Sequence, residues 1–463
     1  MRLVDILDGI ECDIKGDADV EICDLKYDSR QVCAGDLFFC ITGFEEDGHK
    51  YAPDAAARGA AAIVATREIE GLDTLQVIVK NDRQAMALAA VRFFGSPASS
   101  MKTVGVTGTN GKTTTTYMMK SIAEAAGMKV GLIGTICNMI GAEEIPAERT
   151  TPESVDLQRL LARMRDSGCD LVVMEVSSHS LFLRRVEGIR FDVGIFTNLS
   201  QDHMDFHKTW QNYVDAKKIL FKQSEAAVIN VDDEAAADMI GAAKNELLRF
   251  GVQNRADIMP EALSLQADGT SFFVRVRGKK TKIRIPIPGM FTVYNAMGAI
   301  GAADKLSIGA DAIARGLAQI RSVPGRFELL DTHGKDYSII LDYAHSPDSL
   351  ENTLLTIRDF APGRIVTVFG CGGNRDRVKR PIMGRIAEAY SDFVVITSDN
   401  PRFEEPEAII KEIEEGLEGK TPYILIENRR EAICYAIKNA QEKDIILLAG
   451  KGHESCKRQT MEK

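Results

Sequence analysis

Gly108 to Thr116 reads GTNGKTTTT, placed between the apolar run KTVGVT and a stretch with helical character. Glycines at a strand-to-helix turn let backbone N–H groups approach phosphate oxygens. Lys112 adds a point charge, and the Thr113 hydroxyl can reach Mg2+. A generic phosphate loop has a leading glycine separated by four residues from Gly-Lys-Ser/Thr. That position is 106, which holds valine, with Gly105 one residue early and Gly108 two late. On these residues alone two explanations stand: a polar turn with threonine as helix N-cap, or a phosphate loop of a particular sub-class of ATP-using proteins.

Three further places carry chemistry. Glu175 ends the apolar run CDLVVMEV, where a strand-end carboxylate can hold Mg2+ or simply be exposed. NLSQDHMDFH, residues 198–207, puts His203 and His207 among Asp202 and Asp205. Histidine beside carboxylates suggests metal, although histidines also cap and pack. Lys217 and Lys218, in YVDAKKILF, read most simply as solvated cations on a helix face.

The elements that must position these groups follow a pattern. Of 463 residues, 1–97 alternate apolar runs with helical patterns and end at GSPASS, whose small residues and proline suit an exposed linker. Across 98–324, strand, glycine turn and helix repeat, which implies a mostly parallel sheet with covering helices. SFFVRVRGKKTKIRIPI predicts a hairpin turning at Gly278, followed by the close-packing helix YNAMGAIGAADKL. A break near SVPGRFELL precedes 325–463, where YSIILDY, RIVTVFG, DFVVITS, PYILI and DIILLAG read as five strands. Four of them run into DYAHSPDSL, GCGGNRDR, SDNPRFEEP and AGKGHE. Ligands in open parallel sheets bind at the strands' carboxyl ends, so these loops are expected at one edge. The fold class is therefore α/β in three domains: a small N-terminal α/β domain, a central phosphate-loop sheet and a C-terminal α/β domain.

Composition narrows the function classes. A net charge of -10 argues against a general binder of nucleic acid or anionic membranes. Nine cysteines without a C-x-x-C pair suggest reduced thiols in a cytoplasm, not a disulfide frame or zinc site. The opening MRLVDILDGIECDIKG is broken by acids before a signal-length apolar core forms, and no run of about 18 apolar residues exists. The expectation is a cytoplasmic protein.

Taken together and in order, GTNGKTTTT, TTPES, MEVSSH, NLSQDHMDFH with DAKK, YNAMGA, VPGRFE, DYAHSPDSL, DNPR and GKGHE resemble the Mur ligases, from Asp28 to Glu454. Members of that family carry G-T-N-G-K-[ST] without the generic leading glycine. The resemblance implies a UDP-binding N-terminal domain, a central ATPase domain and a Rossmann-like C-terminal domain. It also implies an amide ligase in peptidoglycan synthesis that adds the third amino acid to UDP-N-acetylmuramoyl-L-alanyl-D-glutamate. ATP would phosphorylate the free D-glutamyl carboxylate, and an amine would displace phosphate from the acyl phosphate. By similarity, Gly108, Thr109, Asn110, Gly111, Lys112, Thr113 and Thr114 would hold ATP phosphates, with Asn295, Arg326 and Asp342 on the rest of the nucleotide. Thr113 and Glu175 would hold one Mg2+, with His203 and a carbamylated Lys217 holding a second; Lys112, Glu175, His203 and Lys217 would be the catalytic set. Asn295 and Arg326 also have routine surface explanations.

For the UDP-sugar dipeptide the family pattern selects Ser29, Thr150, Thr151, Ser177 and Arg185, with Leu183 where many members have glutamine. For the incoming amino acid it selects Arg375, Asp399, Asn400, Pro401, Arg402, Gly450 and Glu454. DNPR is associated with meso-diaminopimelate, whose second carboxylate would pair with a guanidinium that lysine leaves unmatched. Asn-Pro followed by Glu-Glu-Pro is also a good turn and helix start, but that leaves Arg402 without a task. The rivals are the L-lysine-adding ligase, the D-Ala-D-Ala-adding ligase, folylpolyglutamate synthase and a nucleotide-dependent module that ligates nothing. Family members continue some tens of residues past GHE, whereas nine residues follow Glu454 here, so the last strand or helix of the C-terminal domain is expected to be absent.

Overall fold

The structure is a computed structural model describing residues 1–44 and 46–454. The tail after Glu454, on which the expectation of a missing last element rests, lies outside the described residues. Among the described residues no helix is long and apolar enough to cross a membrane.

The N-terminal strands are β1 (Cys12–Lys15), β2 (Leu25–Lys26), β3 (Leu37–Phe39), β4 (Ala62–Ala65) and β5 (Leu75–Val79), in sheet order β1-β5-β4-β3-β2. β2 to β5 pair in parallel and β1 runs antiparallel to β5. Alternate residues feed two cores. Leu37, Phe39, Ala62 and Val64 lie in one, and Phe38, Cys40, Ile63 and Ala65 in the other. Burial on both faces explains why these strands read as continuous apolar runs.

An eight-stranded sheet follows. Its strands are β6 (Lys102–Thr107), β7 (Val130–Ile133), β8 (Cys137–Ile140), β9 (Glu143–Pro146), β10 (Leu171–Glu175), β11 (Phe191–Phe196), β12 (Ser224–Asn230) and β13 (Glu246–Phe250), in order β13-β12-β11-β6-β10-β7-β8-β9. β10 and β7 are parallel, as expected, but β8 and β9 form an antiparallel ribbon on β7 that the sequence reading lacks. GSPASS is not wholly exposed: Pro97 is buried at the start of a short 3-10 turn, Pro97–Ser100. The hairpin at Gly278 is present as β15 (Gly269–Val276) and β16 (Lys279–Ile285), with β14 (Glu261–Gln266) added on the β15 side.

The C-terminal sheet contains β17 (Glu328–Leu330), β18 (Ser338–Asp342), β19 (Ile365–Phe369), β20 (Phe393–Ile396), β21 (Tyr423–Leu425) and β22 (Ile445–Ala449), in order β17-β18-β22-β19-β20-β21. Only β17 is antiparallel to its neighbour. Asp342 lies opposite Ala449 in the β18–β22 register, and Phe369 opposite Ile396 between β19 and β20. The four chemistry-rich loops therefore leave this sheet from one edge, as expected.

Arg380 anchors that edge from below. It is 0% exposed and forms a double hydrogen bond with Glu404, 2.8 and 2.9 Å, plus a third to Glu412 at 2.7 Å. The Arg380 hydrogen bonds hold the Glu404 carboxyl at about 2, below its ordinary 4.5. A depressed acid stabilises the fold above its unfolded value, and that contribution disappears as pH falls through the folded one. Replacing Glu404 with Gln is thus expected to lower the thermal midpoint by several degrees near neutrality, with the difference from wild type shrinking between about pH 4.5 and 2. Melting curves across that range check it.

Candidate active site

The phosphate-loop sequence forms the connection from β6 to the helix Lys112–Ala125. Gly108 sits at φ +154°, and a Cβ there would lie 1.9 Å from the Thr197 hydroxyl, so only glycine lets the loop pass. Asn198 holds the loop from outside. Its carbonyl accepts from Thr109 N at 2.9 Å and its side-chain oxygen from Asn110 N at 2.9 Å. Lys112 Nζ donates to the carbonyls of Gly108 and Thr109 at 2.9 and 2.8 Å, which curls the ammonium over the loop.

A cavity of about 330 Å³ opens beside the loop. Asn110, Gly111, Thr113, Thr114, Asn295, Arg326 and Asp342 all line it, whereas Gly108, Thr109 and Lys112 do not. Arg326 Nη2 donates to the Thr113 hydroxyl at 3.2 Å, and its guanidinium stacks on the Tyr343 ring at 4.5 Å. Arg326 Nε is buried with no hydrogen-bond partner among the described residues, and the residue puts a fixed cation on the cavity wall. Asp342 is tied down: its two oxygens accept from Phe327 N at 2.6 Å and Ala344 N at 2.7 Å. Burial pushes its carboxyl up, against Arg326 and these amides. Each oxygen keeps a lone pair for a hydroxyl donor. Residues outside the expected set also line the cavity, among them Phe291, Tyr343, His345 and Asp348.

Of the expected metal ligands, Glu175 is 1% exposed and not a solvent-facing strand end. Its oxygens accept from Thr135 N at 2.9 Å and the Thr135 hydroxyl at 3.0 Å. Lys217 is also 1% exposed, so the solvated-cation reading fails for it, while Lys218 is half-buried. The signal was in the sequence. Tyr213, Val214, Lys217, Leu220 and Phe221 fall on one stripe of the helix Trp210–Lys222, and all five are buried. His203 has left-handed backbone, φ 57°, and its Nε2 lies 3.3 Å from Asp202 Oδ2. Among the described residues no group of three or more His, Cys, Asp or Glu side chains is placed to hold a metal ion. Thr113 and His203 belong to one compact unit, Glu175 and Lys217 to the other.

Four of the five residues expected at the UDP-sugar dipeptide form one network. Thr150 and Thr135 share a hydroxyl contact of 3.0 Å; the Thr151 hydroxyl donates to Glu175 O at 2.9 Å and accepts from Ser177 N at 3.2 Å. Arg185 Nη1 reaches Thr151 O at 3.1 Å. Ser29 is buried in the short turn Ser29–Gln31 and makes none of these contacts. Arg185 is buried against Glu153, 2.7 Å away, a partner the sequence reading did not select. Burial pushes the guanidinium down, and Glu153 restrains that shift. A second cavity of about 340 Å³ is lined by Tyr27, Arg149, Glu153, Asp156 and others, but by none of the five.

The expected amino-acid residues gather at the carboxyl edge of the C-terminal sheet. A Cβ on Gly373 would meet Pro401 O at 1.9 Å, which is how closely the GCGG loop packs on DNPR. Arg402, at φ 53°, donates from Nη1 to Gly373 O at 2.6 Å. Arg375 instead reaches Asp205, at 3.3 Å. Asn400 Nδ2 donates to Glu454 Oε2 at 3.0 Å, and Lys451 Nζ donates to Asn400 Oδ1 at 2.6 Å and Glu454 Oε2 at 3.1 Å. A Cβ on Gly450 would lie 3.1 Å from Asp399 Oδ2.

Residues 106–303 match the Mur ligase middle domain, 325–452 the Mur ligase glutamate ligase domain, and 21–108 the Mur ligase family catalytic domain. The UDP-N-acetylmuramoyl-L-alanyl-D-glutamate--2,6-diaminopimelate ligase 1 of Clostridium acetobutylicum is 48% identical over 98% of this chain and 95% of its own. The chain belongs to the Mur ligase family. The corresponding 2,6-diaminopimelate ligase of Clostridioides difficile is 45% identical over 98% of this chain and 95% of its own. A solved structure of a UDP-N-acetylmuramoyl-L-alanyl-D-glutamate--2,6-diaminopimelate ligase superposes with a TM-score of 0.73 at 30% identity, covering 99% of this chain and 94% of that one. The MurF ligase of Thermotoga maritima, solved with ADP, shares the fold at a TM-score of 0.66 and 20% identity, covering 92% and 93%. Within this Mur ligase, Lys451 was missed because a lysine between glycines carries no spacing that marks it.

Proposed function

We propose that this chain is the ATP-dependent ligase that joins meso-diaminopimelate to the D-glutamate of UDP-N-acetylmuramoyl-L-alanyl-D-glutamate. Its domains are taken as 1–97 for the UDP moiety, 98–324 for ATP and 325–463 for the amino acid, in a cytoplasmic monomer. The observation that carries the substrate is Arg402 on the loop that also bears Asp399 and Asn400, with its guanidinium donating to Gly373 O at 2.6 Å. A carboxylate is a poor electrophile, so its oxygen attacks the γ-phosphorus and ADP leaves. The amine then attacks the acyl carbon, phosphate leaves, and the amine's proton is lost.

Lys112, the loop amides and Arg326 bring fixed donors to the oxygens on which charge builds. By the family resemblance, Mg2+ would be held by the Thr113 hydroxyl, Glu175, His203 and a carbamate on Lys217, donors of the kind a hard cation takes. When bound, Mg2+ neutralises phosphate charge. Thr135 fixes the rotamer of Glu175 by hydrogen bonds to both of its oxygens. Arg185, Thr151 and Ser177 hold the dipeptide arm; with Leu183 in place of glutamine, one polar contact there is missing or supplied otherwise.

Coupled ADP release with meso-diaminopimelate, L-lysine and D-Ala-D-Ala tests the reading. Preference for either of the latter two would overturn the substrate, and ADP release independent of the UDP-sugar would favour a non-ligating module. Arg402→Ala is expected to lower kcat/KM for meso-diaminopimelate at least tenfold with KM for ATP unchanged, through loss of a charge-assisted pair worth ~1.5 to 3 kcal/mol.

A further inference from the structure

The two loops that carry Arg375 and Arg402 are tied together by an ion network with no role in the chemistry above. GCGGNRD follows β19 and DNPRFEEP follows β20. Glu404, two residues beyond Arg402, bonds to both sides. Its Oε1 accepts from the Asn374 backbone N–H, next to Arg375, and its two oxygens accept from Arg380 at 2.8 and 2.9 Å. Arg380, fully buried in the helix Lys379–Tyr390, also donates from Nη2 to Gly372 O at 3.3 Å. The loops add direct bonds of their own. Asn374 Oδ1 accepts from Phe403 N at 3.0 Å, Asn400 O from Gly373 N at 2.9 Å, and Gly373 O from Arg402 Nη1 at 2.6 Å. Asn374 and Arg402 both hold left-handed backbone, φ 49° and 53°. Residues other than glycine keep that conformation where the surroundings over-determine it, and the bonds around Glu404 do so for both loops at once.

We propose that Glu404 is a positioning residue that sets the selectivity for meso-diaminopimelate: gripped by Arg380, it fixes the backbone beside Arg375 and Arg402, so that the two guanidiniums keep the spacing of a substrate with a carboxylate at each end. This rests on the reading of that pocket given above. A planar double hydrogen bond between guanidinium and carboxylate fixes direction as well as distance, which a single contact would not. L-Lysine lacks the far carboxylate, so it loses less than meso-diaminopimelate when the spacing relaxes. Glu412, in the helix Pro406–Glu414, shares the cation without sharing the task. It accepts from Arg380 at 2.7 Å and pairs with Arg377, and among the described residues it bonds to no backbone group of either loop.

The test measures KM for meso-diaminopimelate, ATP and the UDP-sugar dipeptide, and kcat/KM for L-lysine, well below each variant's thermal midpoint. Glu404→Gln turns an amide NH2 toward donors in place of one acceptor oxygen. It is expected to raise KM for meso-diaminopimelate about tenfold, leave the other two KM values within about twofold, and cut the kcat/KM ratio of meso-diaminopimelate over L-lysine about tenfold. Glu404→Asp keeps the charge but is one methylene too short to span Arg380 and Asn374 N together, so it is expected to act in the same direction; it also serves if the glutamine variant does not fold. Glu412→Gln is expected to lower the thermal midpoint and leave the ratio within about twofold of wild type. Equal rises in KM for all three substrates, an unchanged ratio, or a Glu412→Gln ratio that falls as far as that of Glu404→Gln overturns the proposal while Arg402→Ala still raises KM. If Arg402→Ala leaves KM for meso-diaminopimelate unchanged, the pocket reading fails and the proposal falls with it.

Discussion

Lys112→Ala is expected to lower kcat for ADP release by about a hundred- to a thousandfold, the cost of removing one fixed donor from charge that develops in a transition state. The ammonium is placed by two backbone carbonyls, Gly108 O at 2.9 Å and Thr109 O at 2.8 Å, and both belong to the loop that Asn198 holds. The loop's shape comes from Gly108 and its amide bonds, so the alanine variant should keep the wild-type thermal midpoint within a degree or two. Lys112→Arg separates charge from geometry. A guanidinium is wider and cannot occupy the same curl over the loop, so it should recover little activity. If alanine left kcat within about threefold of wild type, the loop would not be acting on a γ-phosphoryl group, and the ligase reading would fall with it.

Most strands were legible because burial on both faces writes an uninterrupted apolar run. β18, β19, β20 and β22 all appear where YSIILDY, RIVTVFG, DFVVITS and DIILLAG place them. The ribbon of β8 and β9 left no such trace. Glu143 and Glu144 are exposed, Ile145 is half-buried, and Pro146 ends the strand, so nothing in EEIP repeats with period two. Only Gly141, with φ 60°, marks the turn between them. β17 was missed for a related reason: Leu329 is 67% exposed, which makes the segment an edge strand with little to distinguish it from a loop.

Site residues divide by how local their task is. The phosphate loop is contiguous, and its glycines, lysine and threonines can be read together. The partners that hold it are not: Asn110 Nδ2 donates to Asp348 Oδ2 at 2.7 Å across 238 residues of chain. Burial of Asp348 pushes its carboxyl up, while Asn110 and Asn352 act against that shift. Such a contact is set by the course of the chain between α/β units, and no spacing rule reaches it. Glu153 belongs to the same class, placed by tertiary packing against Arg185.

Lys217→Met should cost about as much activity as the loss of Lys112, about a hundredfold or more. Lys217 occupies a core position on the stripe formed by Tyr213, Val214, Leu220 and Phe221 and is 1% exposed. The neutral amine is the form that reacts with CO2 to give a carbamate, which can offer oxygen to a hard cation where an ammonium would repel it. Enzyme stripped of CO2 should lose activity and regain it with bicarbonate, and 13C-labelled bicarbonate should give a carbamate resonance in wild type that is absent from Lys217→Met and Lys217→Arg. Activity indifferent to CO2, together with a methionine variant as active as wild type, would leave Lys217 as a packing residue and remove the carbamate from the mechanism.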